Sequence, residues 1–346
     1  MTAMIGNGVR IRGGFAAIFT ALICPVVSGQ TSVEPPAVSP GARSLGLGGA
    51  FVAVADDATA AWTNPSGLMQ LVRPEISADG RGWSEDRDAV ASNQSNLGFL
   101  SFVLPRQAWS LALYGQTLSS LEFPAEWPTG NGEPIPLSSL VIANVGVSAA
   151  VRLSDAVSIG FGVTAFAGAF TEGLAGSPSS YPFFEDEVQN ELGATAGVLW
   201  NLDESWAIGA AARTGADFRF SSGGRAVFPD IVSAGARWSS AGGHATVAAE
   251  LEHLSGIENR VRPHLGAEWV FLEVRPLIGV RVGLWHDPEG GSAAVGSDSE
   301  PTIDDRIPHG SVGIGLAWRK FQLDVAVDLS ERTTITSLSG IFTFGG

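Results

Sequence analysis

The chain has 346 residues, of which 45% are hydrophobic and only 16% are charged, and 35 Asp and Glu outnumber 20 Lys and Arg to give a formal net charge of −15. This acidic balance argues against nucleic-acid binding, which relies on clustered basic side chains to neutralise phosphates. The 44 Gly residues argue against a helical protein, because each Gly inside a helix costs about 1 kcal/mol.

The first 29 residues have the features of a secretory signal peptide. Arg10 and Arg12 supply positive charge, residues 15–27 form a short apolar stretch, and small residues follow it. An uncleaved membrane helix is the alternative, but the stretch is shorter than the roughly 20 residues that a span requires. Cys24, the only cysteine, lies within it, so the mature chain is expected to contain no thiol or disulfide.

A polar, proline-containing stretch over residues 30–40 follows and is interpreted as a linker. The next segment, residues 41–70, is rich in Gly and Ala and lacks the alternation of the later sequence. Asp56 is placed to cap a short turn that begins at Asp57. Any helix must stop at Asn64, because the residue before a proline is driven out of the α region. We interpret 41–70 as a compact segment outside the strands.

From about residue 73 to the end, apolar residues alternate with small or polar ones at the period of two that is typical of strands. Short connections are predicted at 154–155, 201–205, 239–243 and 319–320, and longer links at 118–138, 170–190 and 286–308. No run of 18 apolar residues follows the N-terminal stretch, as a membrane helix would need. Short turns on one rim and long loops on the other are typical of outer-membrane barrels. The sequence therefore predicts an all-β fold, a transmembrane antiparallel β-barrel of about 14 strands.

The apolar positions of this alternation are expected to face lipid. They include Val147, Val151, Val280, Val282, Ile314, Leu316, Val325 and Val327. Trp200, Trp206, Trp238, Trp285 and Trp318 lie near strand ends, where a membrane interface favours aromatic rings. The alternative is a large soluble β protein with ordinary core Trp residues, but the signal peptide and the strand count favour the membrane barrel.

Residues 41–68, GARSLGLGGAFVAVADDATAAWTNPSGL, resemble the opening segment of the outer-membrane fatty-acid transporter (FadL-like) superfamily, especially its shorter PorV/PorQ-type members. Thr63 and Ser66 depart from the residues usual in that family. The matching positions that we single out are Gly46, Gly48, Gly49, Asp56, Asp57, Asn64, Pro65 and Gly67. The resemblance implies that residues 41–70 form a hatch inside a 14-stranded barrel formed by residues 71–346. Alternatively, the motif serves only the folding of the hatch.

No catalytic or cofactor motif stands out. Gly46, Gly48 and Gly49 lack the third glycine and the preceding strand of a dinucleotide loop, no G-x-S-x-G element is present, and the five His residues lack metal-ligand spacing. We therefore predict neither an enzyme nor a metal or cofactor site.

Three arginines fall on the small-residue faces of strands and are expected to point into the lumen: Arg152, Arg213 and Arg281. A charge costs less there than against lipid. They are candidates for contact with a carboxylate head group. The favoured interpretation is that they pair with acids on neighbouring strands, namely Glu250, Glu252, Glu268, Asp324 or Asp328.

The resemblance implies passive transport of hydrophobic small molecules, such as long-chain fatty acids, across the bacterial outer membrane. The expected contacts are outer-membrane lipid and a hydrophobic ligand in the lumen. The alternative is a PorV/PorQ-type component of a protein secretion system that acts through protein–protein contacts. An outer-membrane lipid hydrolase is disfavoured, because no nucleophile arrangement is recognisable.

Overall fold

The computed structural model describes residues 39–87, 90–124, 135–175, 185–221, 225–255, 260–288, 306–331 and 333–345. The predicted signal peptide and residues 30–38 of the linker lie outside these ranges, so both stay predictions. No described helix is long and apolar enough to cross a membrane.

Sixteen strands follow one another along the described chain. They are β1 (Glu75–Arg87), β2 (Val90–Pro105), β3 (Trp109–Pro124), β4 (Ile135–Arg152), β5 (Val157–Ala175), β6 (Glu185–Asn201), β7 (Trp206–Arg213), β8 (Ala216–Arg219), β9 (Arg225–Phe228), β10 (Asp230–Ser239), β11 (Ala245–Ser255), β12 (Arg260–Phe271), β13 (Leu277–Pro288), β14 (Arg306–Ala317), β15 (Phe321–Leu329) and β16 (Thr333–Thr343). All except β8 and β9 form one closed antiparallel barrel, in which β7 pairs with β10 and β1 with β16. The predicted 14-stranded barrel is confirmed.

The two rims of the barrel differ in the length of their connections. Turns of three to five residues at 106–108, 153–156, 202–205, 240–244, 272–276 and 318–320 define the short-turn rim. The turn at 202–205 is closed by Asp203, whose carboxylate accepts hydrogen bonds from the backbone N–H groups of Ser205 and Trp206 at 2.7 and 2.8 Å. The opposite, long-loop rim has the long connections, at residues 125–134, 176–184, 214–229 and 289–305, together with short ones at 88–89, 256–259 and 330–332.

The long links predicted from the sequence are therefore too long. The predicted bounds are 118–138, 170–190 and 286–308, whereas the strands of the structure leave only 125–134, 176–184 and 289–305 between them. At the ends of β4 and β5 that face the long-loop rim, Pro136 is opposite Leu174 and Leu137 is opposite Gly173. Pairing with a neighbouring strand supplies backbone hydrogen bonds whatever the side-chain pattern, so the strands continue where the alternation fades.

The alternation predicted for the strands separates the two faces of the wall. In β13, Val282 and Leu284 point outward and are 57% and 62% exposed, whereas Arg281 points inward and is 5% exposed. The eight residues predicted to face lipid all lie on outward faces. Exposed Trp residues mark the short-turn rim: Trp109, Trp200, Trp206, Trp269 and Trp318.

Trp285 corrects the prediction for strand-end tryptophans. It shares the inward parity of Arg281 in β13, and its indole N–H donates to an Asp328 carboxylate oxygen at 2.8 Å. An indole that is partly buried gains from such a partner. Trp285 lies near the end of its strand, and this alone suggested a ring at the membrane interface. Whether a side chain points inward or outward depends instead on its parity in the strand.

We expect Val282→Arg to destabilise the barrel in lipid vesicles by about 2–4 kcal/mol, because an arginine on the lipid face near the midplane cannot stay hydrated. The same substitution at Leu329, an outward residue at the end of β15, should cost only about 0–1 kcal/mol. Urea unfolding followed by tryptophan fluorescence measures both. Equal losses at the two positions would contradict the assignment of the outer face.

Candidate functional site: the filled lumen

The hatch, residues 41–70, lies inside the barrel and contains three short helices. These are α1 (Ala42–Gly46), α2 (Ala60–Thr63) and a 3-10 helix (Pro65–Gln70). As predicted, α2 ends just before Asn64. The Asn64 side chain then accepts a hydrogen bond from the Ser66 N–H at 3.3 Å, and Pro65 occupies the first position of the 3-10 helix, where its missing N–H has no cost.

The predicted capping role of Asp56 is wrong. Its carboxylate forms an ion pair with Arg43 of α1. The two residues are 13 positions apart, so no local sequence pattern indicates this contact. Asp57 bonds locally instead, accepting from the Thr59 N–H at 2.9 Å. Burial raises the pKa of Asp57 to about 6, and the nearby Asp56 adds to this effect against the attraction of Arg43.

Glycines on the inward faces of the wall make room for the hatch. A Cβ atom at Gly160 would lie 2.3 Å from the Ser66 nitrogen, one at Gly197 would lie 2.1 Å from Asn64 Oδ1, and one at Gly283 would lie 2.1 Å from the Gly48 nitrogen. Gly48 itself has a φ of +62°, which disfavours residues with a side chain. The small inward residues therefore accommodate the hatch and do not leave an open apolar pore.

Polar side chains of the wall hold the hatch by its backbone. Three serines donate to hatch carbonyls: Ser110 to Leu68 at 2.9 Å, Ser148 to Ala61 at 2.6 Å and Ser158 to Ser66 at 3.0 Å. On the other side of the barrel, Glu250 accepts from the N–H groups of Phe51 and Val52, both at 2.8 Å. Because β3, β4, β5 and β11 all contribute, the hatch is attached around the circumference.

An ion-pair network joins the hatch to the wall near the short-turn rim. Arg281 contacts Glu268 at 2.6 Å and Asp324 at 2.5 Å, and Glu268 also binds Arg43 of the hatch at 2.9 Å. This is the pairing favoured for Arg281 in the sequence analysis. The network borders a cavity of about 340 Å³, whose lining also includes the carboxylates of Asp56, Asp57 and Glu75.

The other two predicted lumen arginines bind hatch carbonyls instead of acids. Arg152 donates to the Met69 oxygen at 2.9 Å. Arg213 donates to the Trp62 oxygen at 3.1 Å, and its guanidinium lies 4.0 Å from the centroid of the Trp62 ring. These arginines position the hatch.

A cluster of aromatic rings lies between the hatch and the long-loop rim. We call it the aromatic cluster, and its members are Trp62, Phe99, Tyr114, Phe166, Phe218 and Phe228. Trp62 from the hatch is central, with its ring 5.9 Å from Tyr114 and 6.3 Å from Phe166 between centroids. The cluster is the main apolar contact surface in the described lumen, and aromatic pairs of this spacing attract one another.

Phe218 and Phe228 reach the aromatic cluster because β8 and β9 form a hairpin within the 214–229 connection. Both phenylalanines are at most 2% exposed, so the hairpin folds inward. Sequence reasoning missed it. The available signal was the alternation of Phe218 with Asp217 and Arg219, which is only four residues long and too short to distinguish from a loop.

The wall next to the aromatic cluster is incompletely paired. Over the described strands, β2 and β3 pair only from Leu100 with Gly115 to Pro105 with Ser110. β2 nevertheless extends back to Val90 and β3 forward to Pro124, each paired with its other neighbour. Between Gly115 and the long-loop rim, β2 and β3 are therefore not paired with each other, and we call this unpaired stretch the β2–β3 gap. Phe99 is the inward residue of β2 at its edge.

Histidines that seemed scattered in the sequence meet on the opposite wall. His264 and His309 stack on either side of Trp285, with centroids at 5.7 and 3.8 Å. His309 bonds Asp328 at 2.6 Å, and His264 bonds the Gly48 carbonyl of the hatch at 2.7 Å. This stack is a further contact between the hatch and the wall.

No protein-family model and no curated protein matches the chain. Solved structures do match. The chain is similar to the CymD monoaromatic hydrocarbon channel, with a TM-score of 0.64 and 13% identity over 91% of this chain and 98% of that one. It is also similar to a FadL homologue from Pseudomonas aeruginosa, with a TM-score of 0.61 and 12% identity over 93% of this chain and 100% of that one.

The toluene transporter TbuX from Ralstonia pickettii gives a TM-score of 0.60 and 13% identity over 92% of this chain and 100% of that one. At such low identity the likeness establishes the fold and no more. It agrees with the FadL-like resemblance of residues 41–68, whereas a closer relation to PorV/PorQ-type members stays a prediction. The chain has the fold of the FadL-type hydrocarbon channels, a closed 14-stranded antiparallel barrel around an N-terminal hatch.

Proposed function

We propose that the protein allows small hydrophobic molecules to cross the bacterial outer membrane passively. The observation that carries this proposal is the aromatic cluster, which lies inside the barrel at the inner edge of the β2–β3 gap. An exposed apolar outer face and a belt of Trp residues support a location in the outer membrane. The similar solved structures include channels named for monoaromatic hydrocarbons and toluene.

The route that we propose leaves the barrel sideways. The hatch fills the lumen on the side of the short-turn rim, and its residues Leu45, Phe51 and Leu68 are at most 1% exposed. The cavity beyond it contains the ion-pair network of Arg281, whose charged groups do not favour a hydrophobic molecule. The β2–β3 gap instead lies between the aromatic cluster and the apolar outer face, so a hydrophobic molecule can pass from one apolar surface to the other without crossing the hatch.

The proposed substrates are aromatic compounds of about the size of toluene. Neighbouring rings of the aromatic cluster lie 5.7–6.3 Å apart between centroids, and a surface made of rings suits a small aromatic molecule more than a long chain. Long-chain fatty acids such as oleate are the second substrate class. We propose no catalytic role, and the PorV/PorQ-type secretion role has no support in the contacts described above.

The proposal is tested by uptake into cells that express the full chain. Initial uptake of radiolabelled toluene by a porin-deficient strain should exceed that of cells with the empty vector several-fold, because lipopolysaccharide slows the entry of hydrophobic compounds. Oleate, measured in parallel, distinguishes the two substrate classes. Uptake of both compounds at the vector level would contradict the transport function.

A further inference from the structure

Two amide side chains on the inner wall have buried polar atoms without a partner. Gln116 of β3 and Asn144 of β4 are direct register partners, and they are 6% and 2% exposed. Among the described residues, Gln116 Nε2 and both Asn144 Nδ2 and Oδ1 lack a hydrogen bond. Buried polar atoms without partners are rare, because each loses its bonds to water without replacement.

Their position is specific. Both side chains have the inward parity of their strands, and the residue next to Gln116 is Gly115, where the pairing of β2 with β3 ends. Members of the aromatic cluster surround the pair. Phe166 of β5 is the register partner of Asn144 on its other side, and Tyr114 precedes Gln116 by two residues on the same face. The amides therefore form a polar spot at the inner edge of the gap.

Three neighbouring hydroxyl groups already have partners. The Tyr114 hydroxyl and the Thr164 hydroxyl bond each other at 2.6 Å, and Ser148 donates to a hatch carbonyl at 2.6 Å. The unpartnered amide atoms donate to and accept from no hatch atom, so they do not anchor the hatch. What remains for them is a group that arrives from outside the chain.

We propose that Gln116 and Asn144 form a subsite that binds the hydroxyl of a small aromatic molecule, a phenol in the simplest case. This inference rests on the proposed function and specifies its substrate class. A primary amide supplies both a donor and an acceptor whichever way it is oriented, so a phenolic O–H donates to one amide oxygen and accepts from an amide N–H. The ring of the phenol then lies against the aromatic cluster. A hydrocarbon of equal size leaves both amides unpaired.

The test uses purified full-length protein in nanodiscs and two probes of similar size, 4-fluorophenol and 4-fluorotoluene. Dissociation constants come from fluorine NMR titrations, with empty nanodiscs as the reference for lipid partitioning. We expect the double variant Gln116→Met with Asn144→Leu to bind 4-fluorophenol about fivefold more weakly than the wild type, the effect of one or two lost neutral hydrogen bonds. The constant for 4-fluorotoluene should change less than twofold.

A matched control is Ser311→Ala, which removes a buried, unpartnered hydroxyl on β14 across the barrel and should change neither constant. Both variants should fold, because replacing unpaired polar atoms by apolar ones of similar shape costs little; the shift in gel migration between heated and unheated samples verifies this. Unchanged binding of 4-fluorophenol, or equal weakening of both probes, would overturn the subsite. Toluene uptake at the vector level together with amide-dependent binding would overturn the transport function and leave the subsite standing.

Discussion

Deletion of residues 41–70 should leave a folded barrel whose conductance in planar bilayers rises from near zero to that of an open pore. The hatch occupies the space left by the inward glycines: Cβ atoms at Gly160, Gly197 and Gly283 would all lie within 2.3 Å of hatch atoms. Without the hatch, these positions border water. The 14 strands close on one another without the hatch, so the wall does not depend on it for backbone pairing.

Two comparisons sharpen this result. Pro65→Ala should raise the conductance in the same direction but by less, because the 3-10 helix loses its fixed first residue while its wall contacts remain. Removing residues 30–36 from the linker should have no effect. A deletion of 41–70 whose conductance equals that of the intact protein would mean that the hatch does not block ion flow.

Arg281→Met should destabilise the barrel by about 3–5 kcal/mol, the usual result of removing one partner from a buried ion pair. Asp324 is fully buried and would lose its contact at 2.5 Å, while Glu268 would keep only Arg43. Urea unfolding in lipid vesicles measures the change.

The control for this prediction is Arg219→Met, which breaks an exposed pair with Asp217 in β8. Exposed pairs contribute at most about 1 kcal/mol. The double variant Arg281→Met with Asp324→Leu should recover part of the loss, since no carboxylate is then left unpaired at position 324. Equal stability of Arg281→Met and the wild type would show that the network does not hold the wall together.

The barrel could be predicted because its physical signal is local. A strand that faces apolar surroundings on one side repeats every two residues, and the alternation of Val280 and Val282 with Gly279 and Arg281 is visible without any knowledge of partners. The end of α2 at Asn64 was equally local, since it depends only on the proline that follows.

The site could not be predicted because its contacts are distant in sequence. Arg43 meets Glu268 across 225 positions, and Ser148 meets Ala61 across 87. No local pattern shows that Gln116 and Asn144 face each other, since this follows from the register of β3 with β4. The incomplete pairing of β2 with β3 is likewise a property of two strands together, and each strand alone has an ordinary sequence.

The central claim is that small hydrophobic molecules pass through the β2–β3 gap while the hatch stays in place, and a disulfide lock tests it directly. The Ala42 N–H donates to Ser339 Oγ at 3.2 Å, so these two positions are adjacent, and we choose them for a cysteine pair that would link α1 to β16. The chain has no other cysteine than Cys24. The measurement is toluene uptake by cells that carry the Ala42→Cys, Ser339→Cys variant, oxidised and then reduced, with bridge formation checked by mass spectrometry. Equal uptake in the two states, at the wild-type rate, is the predicted result. Uptake that is lost on oxidation and restored by reduction would contradict the claim, since passage would then require the hatch to move.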